Sequence, residues 1–233
     1  MTAIYQREMR SYLTSAVGYV FLAVFYAIAG YYFFATSLVS NSTDLSYVFS
    51  NLFSIVIFLV PMLTMRLFSE ERRQKTEQAL FTAPVSFTGV VMGKFLACLT
   101  MYLLGMGVTL LYFLVMCAFQ IPDVAVFCGN FLGLFLLGAL CAIGIFISSL
   151  TESQVIAAVG SLAIGLFLLF ANSFTPVVSS EWINAVMDGI SFYQHYLDFT
   201  RGLLNLSDLT FFVSVTALFL FLTVRHLERR RIS

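Results

Sequence analysis

Four groups of residues in this 233-residue chain have types and spacings that could do chemistry. The run Gly89-Val90-Val91-Met92-Gly93-Lys94-Phe95 nearly matches a nucleotide-binding P-loop. It lacks the first glycine at the required distance, and Phe95 stands where a Ser or Thr would hold Mg²⁺. If the protein works at the expense of ATP, both ATP and Mg²⁺ are therefore expected on another chain. His195 and Asp198, one helical turn apart, look like half a metal site. With no third ligand nearby they read as an interfacial polar pair, and no metal is expected. Cys98, Cys117, Cys128 and Cys141 all lie in apolar runs, without a CxxC or Cys/His cluster, and read as small hydrophobes. No catalytic constellation is left, so an enzyme is not expected.

The fourth group is the stretch from Arg66 to Val91, which concentrates seven of the 24 charged residues. Ser69 is placed to cap a helix, and Glu70 and Glu71 would sit in its first turn, where the helix dipole favours them. Glu71 and Lys75 form an i,i+4 pair in the better orientation. Pro84 biases Ala83 away from helix and imposes a stop. The spacing predicts a compact charged helix over Glu70–Leu80, made of Glu70, Glu71, Arg72, Arg73, Gln74, Lys75, Thr76, Glu77, Gln78, Ala79 and Leu80. A solvated connector is the alternative, but Ile121–Asp123 shows how short a plain connector can be. A stiff helix of mixed charge fits the docking of a soluble partner.

The elements that must position this loop follow from composition. Hydrophobic residues make up 60% of the chain and charged residues only 10%, with a mean hydropathy of +0.94. Soluble domains carry about 45–50% apolar and about 25% charged residues. A soluble nucleic-acid binder, a disordered tail and a disulfide-stapled secreted module are excluded, and an all-α polytopic membrane protein remains. A span needs about 20 apolar residues. Marking the charged residues gives six, at about 17–39, 47–65, 95–119, 124–150, 154–175 and 209–227, within a single domain of residues 1–233. The first is too long for the apolar core of a signal peptide and ends in no clean small-x-small site, so it reads as an uncleaved helix. With a cytoplasmic N-terminus, eleven of the twelve basic residues fall inside and only Arg201 outside. This positive-inside bias predicts that both termini are cytoplasmic. The zero net charge of the chain is then a cancellation of +5 inside against −5 outside.

Other segments carry weaker signals. Tyr5, Met9, Tyr12, Leu13 and Ala16 follow helical spacing, with Gln6, Arg7, Arg10 and Thr14 on the opposite side. The pattern predicts an interfacial helix over residues 1–16, tyrosines toward the acyl boundary and arginines toward lipid phosphates; a basic flank that only sets topology is the alternative. Between spans five and six, two short amphipathic helices are expected, one capped by Ser180 and one carrying Phe192, Tyr193, Tyr196 and Leu197 and stopped by Gly202. They would dip into the outer leaflet or cap a cavity. Ala157, Ser161 and Gly165 form a small-residue stripe in span five, a candidate helix-packing or dimer contact, and Gly129 and Gly133 form a GxxxG in span four. No ionisable residue is expected in mid-membrane, which counts against a proton-coupled transporter, an intramembrane protease or a selective ion channel.

Assembled, these parts resemble the ABC-2 type permease family, in the branch of gliding-motility and nitrous-oxide-reductase-associated permeases. The likeness rests on Pro61-Met62-Leu63-Thr64-Met65-Arg66-Leu67-Phe68-Ser69-Glu70-Glu71-Arg72-Arg73-Gln74-Lys75-Thr76, Thr82-Ala83-Pro84-Val85-Ser86, Gly93-Lys94-Phe95, Ser148-Ser149-Leu150-Thr151-Glu152-Ser153-Gln154 and Leu222-Thr223-Val224-Arg225. The resemblance implies a transmembrane subunit of an ABC exporter in the cytoplasmic membrane. Glu70–Leu80 would be its coupling helix, seated in a groove of a separate ATPase subunit. Tyr5–Ala16, with Tyr5, Arg7, Met9, Arg10 and Tyr12, would lie near that ATPase. Two permeases over two ATPases are implied, with a lipid surround, possible pairing with an extracytoplasmic auxiliary subunit, and no nucleic acid. A scaffold or mechanotransmitter that drives extracytoplasmic machinery without moving cargo is the rival reading.

Overall fold

A computed structural model describes residues 1–40, 42–75, 86–119, 122–171 and 189–232. Every element among them is helical, as expected where lipid offers backbone groups no partner. The helices are α1 (Thr2–Thr14), α2 (Ala16–Tyr32), α3 (Ser46–Thr64), α4 (Ser69–Arg73), α5 (Phe87–Phe119), α6 (Val124–Leu136), α7 (Ala139–Leu150), α8 (Gln154–Phe170), α9 (Phe192–Thr200) and α10 (Leu206–Ile232). Helix α2 runs on through a wider turn over Phe33–Leu38, where the Val39 N–H bonds the Phe34 carbonyl at 3.0 Å.

Among the described residues, five helical stretches are long and apolar enough to cross a membrane: Ala16–Leu38, Ser46–Arg73, Phe87–Phe119, Val124–Leu150 and Leu206–Arg230. The fifth expected span appears as α8, a shorter apolar helix of 17 residues. Its expected final turn, and the Ser180-capped helix after it, lie outside the described residues. The third span departs most from expectation. It begins at Phe87 rather than residue 95, with Ser86 Oγ accepting the Gly89 N–H at 3.3 Å. Lys94 therefore sits two turns inside the helix. The Gly89–Phe95 run is likewise helical.

Helix α3 is the hub, packed against α2, α6, α7 and α8. Small residues set these approaches, because lipid tails give helices no hydrophobic reason to associate and close packing must do so instead. A Cβ on Gly165 of α8 would lie 2.9 Å from Ile57 Cγ2, and one on Gly144 of α7 would lie 2.7 Å from Thr64 Cβ. The Ala157, Ser161 and Gly165 stripe is buried and packs within this chain. The span Val124–Leu150 is interrupted at Leu137–Gly138, where the Gly138 N–H bonds the Phe135 carbonyl at 2.9 Å and a tighter turn joins α6 to α7.

At one end, α9 is wedged among α6, α8, α3 and α10 instead of capping a cavity. Ser191 caps it, accepting the Gln194 N–H at 3.4 Å, and Gly202 ends it at φ +73°. Phe192, Tyr196 and Phe199 are its buried face. The GxxxG of α6 receives it: a Cβ on Gly133 would lie 2.8 Å from Phe199 Cβ. His195 does not pair with Asp198. Its Nδ1 lies 2.6 Å from Asp208 Oδ1 on α10, while Asn205 Nδ2 donates to Asp198 at 2.7 Å. The helical spacing was real, but α10 returns beside α9 and supplies a nearer carboxylate.

Candidate functional site

The charged loop lies at the opposite end of the bundle, the basic end. After Thr64 the chain leaves the α3 axis, turns, and forms α4, a single helical turn and a half. The turn is held by Ser148 at the end of α7. Its Oγ accepts the Phe68 and Ser69 N–H groups at 3.1 and 3.2 Å and donates to the Met65 carbonyl at 3.0 Å. One hydroxyl thus replaces the missing helical partners of three backbone groups.

Two sequence expectations fail here. Ser69 does not cap α4; Phe68 holds the cap position, and the Ser69 hydroxyl donates back to the Met65 carbonyl. The helix does not run unbroken over Glu70–Leu80 either. It stops at Gln74, and Lys75 takes φ 58°, which an α-helix cannot contain. Thr76, Glu77 and Leu80 lie outside the described residues.

Glu71 turns inward instead of reaching Lys75. It pairs with Arg7 of α1 and, through Oε2 at 3.1 Å, with Lys94 of α5. The Lys94 side chain is only 1% exposed. Its Nζ lies 3.1 Å from Glu8 Oε1, donates to the Leu67 carbonyl at 2.5 Å, and sits 4.8 Å from the centre of the Phe68 ring. A buried ammonium is costly unless paired and hydrogen-bonded, and two carboxylates, a carbonyl and a ring face meet that need. Burial pushes the Glu8 carboxyl up, but the Lys94 charge and the hydrogen bonds from Arg7 and Lys94 outweigh it and hold Glu8 below its ordinary range. Burial likewise depresses the Arg7 guanidinium, and Glu8 and Glu71 more than reverse it.

The tyrosines of helix α1, expected toward the acyl boundary, face protein. Tyr12 is 1% exposed, and its hydroxyl donates to the Leu63 carbonyl at 2.7 Å. Tyr5 Oη lies 3.2 Å from Thr100 Oγ1, and Met9 packs against the core. Leu13, expected on the same face, is exposed. The sequence pattern found an apolar stripe but could not say that α5, rather than lipid, would cover it. Arg10 is exposed, whereas Arg66 donates to Ser11 Oγ at 2.7 Å and lies 5.1 Å from the Tyr12 ring centre.

Arg72 reaches the α7–α8 link, with Nε 3.0 Å from Glu152 Oε1 and Nη1 donating to the Leu150 carbonyl at 2.9 Å. Glu70 accepts from Gln74 Nε2 at 3.3 Å. Arg73, Gln74 and Lys75 are exposed. Among the described residues, Arg73 and Lys75 make no ion pair. The expected coupling residues thus divide into inward anchors, Glu71 and Arg72, and an outward face, Arg73 to Lys75.

Sequence reading missed Lys94, Glu8, Ser148 and Glu152 as parts of this site. Ser86 behind Pro84 was the available signal for Lys94, since a helix capped there carries it two turns inward. Among the described residues, no group of three or more His, Cys, Asp or Glu could hold a metal.

This arrangement ties α1, α5, α7 and the α7–α8 link to one charged segment. Comparison with curated proteins gives no match. Comparison with protein families matches residues 2–225 to the ABC-2 family transporter protein. The match covers nearly the whole chain, including α1, the charged segment and most of α10. The chain therefore belongs to the ABC-2 transporter family, as a multi-pass membrane permease component of an ABC transporter and not itself the catalyst.

Proposed function

We propose that this chain is the membrane-spanning subunit of an exporter driven by ATP hydrolysis on a separate ATPase chain, and that residues 69–75 are where that ATPase docks. One observation carries the reading: α4 is tied inward on three sides while Arg73, Gln74 and Lys75 face outward. A push on the outward face passes to α1 through Arg7, to α5 through Lys94, to α7 through Ser148 and to the α7–α8 link through Glu152. The segment's stiffness comes from these anchors and not from an unbroken helix.

In this reading the basic end is cytoplasmic, with both termini there, as eleven of twelve basic residues favour. Two such subunits, identical or different, stand over an ATPase pair in the cytoplasmic membrane, with an auxiliary subunit able to join on the outside. ATP and Mg²⁺ reside in the ATPase. The stripe of Ala157, Ser161 and Gly165 is buried within this chain, Gly165 against Ile57 of α3, so the exposed Val155, Ile156 and Val159 of α8 are the surface left for a second subunit.

Cysteine cross-linking in the assembled complex tests the docking assignment. With Gln74→Cys, a short thiol cross-linker should join this chain to the ATPase subunit of the complex. An adduct from Leu204→Cys at the other end, with none from position 74, would overturn the assignment.

A further inference from the structure

An apolar trough runs between α5 and α10. Its inner part, about 470 Å³, is walled by Phe95, Leu99, Thr216 and Ala217 and floored where α6 breaks into α7, at Gly138 and Ala139. A second hollow of about 350 Å³ shares Met92 and Leu220 with the first and carries it to Thr88, Arg225 and Glu228 at the basic end. From Phe212 to Arg225 the trough follows α10 for about 20 Å at 1.5 Å per residue. One leaflet's hydrocarbon is about 15 Å, half of about 30 Å. The trough therefore reaches from mid-membrane to headgroup depth.

Its outer end is cationic. The Arg225 guanidinium lies 5.2 Å from the Phe221 ring centre, with Nη1 3.1 Å from Glu228 Oε2, and its side chain is 65% exposed. One of its five N–H donors is used on Glu228 and the others remain to bind an anion. Arg229, exposed one turn on, lines an adjoining hollow with Arg225 and Glu228, so two arginines face one glutamate there.

We infer that this trough holds an acyl chain of an anionic phospholipid, with the lipid phosphate on Arg225 and Arg229. A helix of a second copy is about 10–12 Å wide with its side chains, too broad for hollows of this size, and has no use for the cationic end. A basic rim beside an apolar inter-helix groove is the chemistry that selects an anionic headgroup over a zwitterionic one.

The test is native mass spectrometry of the full-length chain released from membranes and re-equilibrated with phosphatidylglycerol or phosphatidylcholine. The wild type should retain phosphatidylglycerol in preference by roughly tenfold or more. Arg225→Gln with Arg229→Gln should erase that preference without filling the trough. Ala217→Trp should fill it and lose both lipids, whereas Leu218→Trp, on the exposed face of α10, should keep them. Equal retention of the two lipids by the wild type, or a preference that survives removal of both arginines, would overturn the inference. So would Ala217→Trp breaking a dimer that forms without lipid, since the occupant would then be a second copy. If Ala217→Trp fails to fold, the arginine pair still decides the question.

Discussion

The basic end of the bundle is held by charges, and the acidic end by close packing. At the first, α1, α4 and α5 meet on Lys94, Glu8, Glu71 and Arg7, long side chains whose contacts are directional. At the second, α9 sits on Gly129 and Gly133 so closely that a Cβ on Gly129 would lie 2.6 Å from the Phe199 carbonyl oxygen. Asn130 adds neutral hydrogen bonds to the Val126 and Thr200 carbonyls, at 2.9 and 3.3 Å. Ion pairs on long side chains can follow a helix that shifts by a small distance, or pass to a new partner. Backbone packed on glycine cannot slide without losing the contact. The basic end is thus suited to transmit displacement and the acidic end to resist it.

The strongest test of this contrast is Lys94→Met. It leaves the two carboxylates Glu8 and Glu71 with only the exposed Arg7 as a cationic partner, and removing one partner of a buried ion pair costs about 3–5 kcal/mol. Thermal unfolding of the purified subunit should show a large drop, and Glu8→Gln with Glu71→Gln in the same chain should recover part of it. A small drop in Lys94→Met would mean that packing, not charge, holds the basic end.

Gly133→Ala should come next. The added methyl would meet Phe199 Cβ and Tyr196 Cε2, and overpacking of this kind costs about 1–3 kcal/mol. Its melting temperature should fall, while ATP turnover by the assembled complex, measured at a temperature where the variant remains folded, should stay near that of wild type. Loss of turnover with stability intact would show the acidic end to be part of the transmission.

The effect of acid is smaller. Glu8 is held below its ordinary value of 4.5 in the folded protein, so its contribution is complete above pH 4.5 and is lost as pH falls through the lower folded value. Unfolding free energy followed against pH should decline below 4.5, and Glu8→Gln should flatten that decline. An unchanged slope would remove Glu8 from the account.

The sequence showed where charge was concentrated more clearly than where each charge points. Apolar runs bounded by charged residues placed most span ends within a few residues. The rule failed at Lys94 because it treats a cation as a boundary, and a cation can enter a helix when neighbouring elements bring carboxylates to it. Those carboxylates, Glu8 and Glu71, are 86 and 23 residues away in the chain, a pairing no local spacing encodes. The same non-locality gave His195 the wrong partner, since Asp208 reaches it only because α10 folds back beside α9. Ser69 had good capping chemistry, but Ser148 from α7 took the N–H groups of the turn. The split of the charged segment into anchors and an outward face depended on these tertiary contacts and was legible only once they were in place.

The outward face is the most exposed part of the account. Arg73→Glu with Lys75→Glu reverses two exposed charges that make no ion pair among the described residues, so the melting temperature should not change. The direct measurement is co-purification of the ATPase with this double variant. ATPase recovery should fall to background while the permease stays folded and membrane-inserted. Wild-type recovery of the ATPase would contradict it.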